Sequence, residues 1–221
     1  MVARGKVIWI SGPAIKADGM SSAKMYETVE VGEDKILGEV IRLTGDTAFI
    51  QVYESTSGLT PGGSVVGTGD PLSVSLGPGM MGTIYDGLQR PLDKIAEKAG
   101  DFLTRGVFVN PIPKRKKWKF YPSVKKGDKI QGGSVIGTVQ ETSLIEHKIL
   151  VPPNGKSGKI ADIVSEGDYD VEHIISTVES KEGTYELKMY HKWPVRTARP
   201  FAERYESEIP LITGQRVLDT F

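Results

Sequence analysis

The 221-residue chain carries 28 Lys plus Arg against 28 Asp plus Glu, so no global charge draws it to a nucleic acid or an anionic membrane. It has no cysteine, which excludes disulfides, thiolate metal sites and cysteine nucleophiles and suits a reducing or a hot compartment alike. The apolar run Val7-Ile8-Trp9-Ile10 stops at Ser11-Gly12-Pro13, far short of a signal peptide or a spanning helix, so the cytoplasm is the expected compartment.

From Lys6 to Tyr53, short runs of β-branched and aromatic residues are cut by Gly and Asp. Ile36 to Leu43, then Thr44-Gly45-Asp46, then Thr47 to Tyr53 reads as a hairpin. Such strands in quick succession predict a small closed barrel, because closure removes exposed edges. Gly58 to Gly69 is expected to be a turn-rich exit. A helix is predicted over Pro91 to Ala99, with Pro91 at the first helical position, Leu92, Ile95, Ala96 and Ala99 as one apolar stripe, and Gly100 closing it. Beyond Pro111 and Pro113, Lys125 to Val178 reads as β again and has the look of an inserted module. Gly62-Gly63-Ser64-Val65-Val66-Gly67-Thr68 is echoed by Gly132-Gly133-Ser134-Val135-Ile136-Gly137-Thr138, a match in glycine-rich turns that does not establish a repeat. At the end, Thr213 is expected to cap a helix with Val217, Leu218 and Phe221 on its apolar side and nothing to close it, which reads as the front portion of a longer protein.

Three motifs invite a function. Gly77-Pro78-Gly79-Met80-Met81-Gly82 matches the dinucleotide fingerprint, but Pro78 removes a donor and Gly82 to Gly87 continues as extended chain, so a turn is expected instead. Lys114 to Tyr121 packs five cations and three aromatics into eight residues, a combination that could neutralise phosphates and stack bases, against which stands the neutral chain. Val124 to Val178 resembles the barrel-sandwich hammerhead of lipoyl and biotinyl carriers, yet Ser143-Leu144-Ile145 stands where the attachment lysine belongs. His147, His173 and His191 share no metal-ligand spacing, Ser11 and Ser143 lie in no nucleophile elbow, and no GxxxxGK[ST] loop occurs.

Leu76-Gly77-Pro78-Gly79, Ile84 to Leu92 (Ile-Tyr-Asp-Gly-Leu-Gln-Arg-Pro-Leu), Lys192-Trp193-Pro194-Val195-Arg196 and Pro210 to Val217 together resemble the catalytic A subunit of A-type and V-type rotary ATPases, most of all the archaeal form. Gly100-Asp101-Phe102, Lys117-Trp118 and Gln140-Glu141-Thr142-Ser143 fall in matching places. The resemblance implies a mainly β chain. Its parts would be an N-terminal barrel (1–70), the start of an α/β nucleotide-binding domain with one helix (71–113), an inserted barrel-sandwich-like bulge (114–188) and a return to the nucleotide-binding domain (189–221). It implies B subunits as partners in an alternating hexameric head, central and peripheral stalk subunits, a location peripheral to the cell membrane, and neither nucleic acid nor direct membrane insertion. In that family Mg-ATP or ADP is held by a P-loop, so the expected catalytic, cofactor and metal residues within this chain are none. A stand-alone, non-catalytic assembly module is the alternative.

Overall fold

The computed structural model describes residues 2–100, 105–201 and 203–220. The first body is built from β1 (Arg4–Ser11), β2 (Ala14–Asp18), β3 (Glu27–Val31), β4 (Ile36–Thr44), β5 (Thr47–Val52) and β6 (Ser64–Pro71), closed in the order β1-β2-β5-β4-β3-β6 with every pair antiparallel. The β4–β5 hairpin turns on Gly45 and Asp46, and Gly45 has φ 62°, which a glycine adopts without the Cβ penalty. Its interior is aliphatic: Val7, Ile15, Val29, Val31, Val40 and Ile50 are buried among alanines and Met20. Register shifts between Val7 and Trp9 and between Val40 and Arg42 leave Ile8 and Ile41 as extra residues, and both face solvent. The expected exit over Gly58 to Gly69 is corrected in its second half. Ser64 onward is β6, which pairs with β1 and β3 and so closes the barrel.

After β7 (Ser73–Leu76) the chain loops to α1 (Leu92–Ala99). Pro91 is the residue before the helix rather than its first, with φ −62° and ψ 123°; a β-bridge to Tyr85 and the Leu92 N–H to Ile84 carbonyl bond (2.9 Å) hold it extended. Gly100 closes the helix at φ 75°, its N–H reaching the Ala96 carbonyl at 2.9 Å. The expected apolar stripe is not used as such: only Ile95 is buried, while Leu92 and Ala96 are exposed.

The second β body comprises β8 (Trp118–Pro122), β9 (Lys129–Ile130), β10 (Val135–Gln140), β11 (Glu146–Leu150), β12 (Gly158–Ile163), β13 (Gly167–Tyr169), β14 (Ile174–Ser180) and β15 (Gly183–Lys188). They form two four-stranded sheets, β11-β10-β8-β13 and β15-β14-β12-β9. Trp118, Phe120, Ile136, Val139, Ile160, Ile175 and Val178 share one buried cluster. The end of the basic, aromatic run is therefore strand β8, in which alternation sends Trp118 and Phe120 inward. Finally β16 (His191–Pro194) pairs with β7, returning the chain beside its first exit.

Beyond Val195 the described residues are irregular and largely exposed up to α2 (Arg216–Asp219). Gln215, not Thr213, occupies the cap position; the Thr213 hydroxyl accepts from the Gln215 N–H (3.1 Å) and donates to Asp219 Oδ1 (2.8 Å). Val217 and Leu218 face solvent. Asp101, Phe102 and Phe221 lie outside the described residues. Among the described residues no helix is long and apolar enough to cross a membrane.

Candidate functional site at the base of the second β body

The Gly77 to Gly82 loop leaves β7 and runs under the second body without forming a helix. Its glycines serve close approach. A Cβ at Gly77 would stand 2.6 Å from Tyr190 Cβ, and one at Gly79, where φ is 101°, would stand 2.5 Å from the Pro113 ring. The loop does hold an anion, but an internal one. Glu141, at the start of the β10–β11 turn, accepts the Gly79 N–H at 2.7 Å and the Met81 N–H at 3.0 Å on Oε1, and contacts His147 Nδ1 at 2.7 Å through Oε2. Only 2% of its side chain is exposed. Burial alone would raise the Glu141 carboxyl, yet the bonds from Met81, His147 and Gly79 outweigh it and hold the group below the usual carboxylate range.

The same junction gathers His147 and His191, which no sequence spacing pairs. They line an open cleft of about 500 Å³ with Met80, Met81, Met189 and Arg199. Arg199 Nη1 lies 3.3 Å from His191 Nε2, and since a guanidinium can only donate, the imidazole accepts as a neutral ring. Burial, then the charges of Arg199 and His147, lower the His191 pKa and favour that neutral form. His173 lies elsewhere, stacked on Tyr169 at 4.8 Å. No group of three or more metal-ligating side chains gathers among the described residues.

Two further ties join the return segment and the loop to the barrel. Glu39 on β4 is almost fully buried and accepts Arg196 Nε on Oε1 (2.8 Å), with Arg196 Nη2 (2.5 Å) and the Tyr53 hydroxyl (3.0 Å) on Oε2. The Arg196 hydrogen bonds hold the Glu39 pKa down against burial. Arg90 bridges Asp86 (2.7 Å) and Glu54 (2.5 Å), while Gln89 copies a strand neighbour: its amide accepts the Ser75 N–H and donates to the Ser75 carbonyl, each at 2.7 Å. Thus the Tyr85 to Pro91 motif is a folded knot of structural bonds.

Part of the basic run is likewise spent on packing. Lys114 pairs with Glu172, Lys119 with Glu166, and Lys116 lies 3.9 Å over the buried Trp118 ring; with Phe120 also buried, Tyr121 alone of the run's three aromatics is exposed, which is no ladder for bases. Sequence reasoning missed Glu141 as the partner of the glycine loop. A glycine turn offering N–H groups without a helix is the signal that asked for an anion.

A closed barrel followed by a two-sheet body is the architecture that two family models describe. The "ATP synthase alpha/beta family, beta-barrel domain" matches residues 7–69, and the "ATPsynthase alpha/beta subunit barrel-sandwich domain" matches residues 109–196. The chain belongs to the ATP synthase alpha/beta family. At the level of individual proteins it is similar to the A subunit of the A-type ATP synthase of Pyrococcus abyssi (57% identity over 222 residues, all of this chain and 22% of the relative). It is similar also to the A subunits of Desulfurococcus sp. (56% over 218 residues, 98% of this chain and 37% of the relative) and Hyperthermus butylicus (55% over 223 residues, all of this chain and 37% of the relative). The chain is homologous to the N-terminal part of that protein and spans well under half the length of these relatives. The stand-alone module is not favoured by an identity that runs through barrel, loop and second body together.

Proposed function

We propose that the chain serves as the N-terminal portion of a catalytic A subunit in an A-type rotary ATP synthase, which couples ATP synthesis or hydrolysis to ion translocation. The observation that carries this reading is identity of 55–57% along essentially the whole chain to relatives of that name. In this reading residues 1–70 join the ring of barrels that holds the head together, and 114–188 project as the bulge that meets the peripheral stalk. Segments 71–113 and 189–221 begin the nucleotide-binding domain. The partners are B subunits in an alternating hexamer with central and peripheral stalk subunits, at a location in the cytoplasm against the cell membrane. Mg-ATP or ADP is bound by residues outside this chain, since none of its segments reads GxxxxGK[ST].

Titration of the chain with Mg-ATP, followed by mixing with the corresponding B subunit on a sizing column, tests both halves. The expected results are no nucleotide affinity better than about millimolar, near −4 kcal/mol, and co-elution with B. Submicromolar ATP binding would place nucleotide contacts inside the chain, and failure to co-elute would remove the assembly role.

A further inference from the structure

We propose that a lysine-lined cleft on the outer face of the β15-β14-β12-β9 sheet docks an acidic polypeptide segment. The cleft, about 770 Å³ and open to solvent, is lined by Lys129, Lys159 and Lys181 with Glu179, Ser157 and Gln131 among its walls. Two of these lysines are direct cross-strand partners: Lys129 on β9 faces Lys159 on β12, and Lys159 in turn faces Glu179 on β14. Directly opposed like charges destabilise an antiparallel pair, and Glu179 on the other side of Lys159 offsets part of that cost without matching the second and third lysine. Of the neighbouring carboxylates outside the cleft, Glu182 is paired with Lys156, and Asp128 accepts the Lys125 N–H at 2.7 Å. None of the three lysines forms an ion pair among the described residues.

Three cations against one carboxylate call for an anionic partner, and the setting selects its class. Among the described residues no aromatic side chain lines the cleft, so it offers no platform for stacking bases. The two-residue strand β9 is the edge of its sheet among the described residues, and an edge backbone can pair with an incoming extended chain. Acidic side chains on such a segment would meet the lysines while its backbone meets β9. This site stands apart from the glycine-loop junction, and its chemistry does not depend on whether the chain assembles into a rotary ATPase.

Binding of the full chain to a short poly-L-glutamate peptide, with a single-stranded oligonucleotide of matched charge as competitor, tests the proposal. The expected result is salt-sensitive binding of poly-L-glutamate that weakens about tenfold in the double variant K129E/K159E and is unchanged in K117E, a lysine outside the cleft. The single variant K129E carries a second signature: it replaces a repulsive cross-strand pair by an attractive one, so its melting temperature rises while its binding falls. Poly-L-glutamate binding that ignores K129E/K159E, tighter binding of the oligonucleotide, or a fall in melting temperature for K129E would each overturn the assignment.

Discussion

The barrel and the second β body solve one problem, covering the faces of short antiparallel strands, with opposite interiors. The barrel core contains no aromatic side chain among the described residues; alanine, valine, isoleucine and Met20 fill it, and Trp9 and Phe49 are left on or near the outside beneath Lys16. The two-sheet body instead seats Trp118 and Phe120 inside. Closing six strands leaves a narrow lumen that aliphatic side chains fill, whereas two facing sheets are separated by about 10 Å and admit rings. The Phe120 ring occupies the space above Gly137 on the neighbouring strand, where any Cβ would collide with it. Aromatic content therefore distinguishes the two bodies as clearly as strand order does.

The largest test of this contrast is Phe120→Ala. Removing a fully buried ring over a glycine leaves a cavity that neighbouring side chains cannot close, at a cost of about 3–5 kcal/mol to the second body. Denaturant unfolding, followed separately by amide exchange of β4 and of β14, is expected to show the second body melting early and the barrel unmoved. A common shift of both would mean that the two cores fold as one.

The next test cuts the tie between barrel and return segment. Glu39→Gln removes the charge that gathers Arg196 and Tyr53 and is expected to cost about 2 kcal/mol at neutral pH, the range of hydrogen bonds to a charged group. Because the folded carboxyl is held below its ordinary value of 4.5, wild type keeps its full advantage above that pH and loses it as the pH falls through the lower, folded value. Urea midpoints of the two proteins should converge in acid; a gap that stays constant would show that the charge is not what stabilises.

Glu141→Gln is the mildest change. One oxygen remains to accept from Gly79 and Met81, and only the charge and the bond to His147 are altered, so about 1 kcal/mol is expected. The local readout is faster hydrogen exchange at the Gly79 and Met81 amides with β1 to β6 unaffected. Unchanged exchange at both amides would show that the loop holds its shape without the anion.

How much of this was legible beforehand divides along the range of the interactions involved. Hairpin turns, strand runs and the Gly100 stop depend on residues a few positions apart, and Gly45 and Gly100 both take the positive φ that their neighbourhoods called for. The closing role of β6 was hidden because its value lies in partners near the other end of the barrel, Arg4 to Lys6 and Glu27 to Val31. Pro91 was misplaced by one residue because a bridge to Tyr85, not helix propensity, sets its backbone.

The sequence by itself determined the β character of both bodies, the lack of a GxxxxGK[ST] segment among these 221 residues and the kinship carried by Ile84 to Leu92 and Lys192 to Arg196, since each rests on local pattern or on ordered motifs. Only the tertiary structure decided what those motifs do. Glu141 reaches the glycine loop across some sixty positions, Arg196 reaches Glu39 from beyond the whole second body, and Lys129 meets Lys159 through strand pairing. Ion pairs and close backbone approaches of this kind carry no periodicity along the chain, because they are fixed by the packing of strands far apart in sequence.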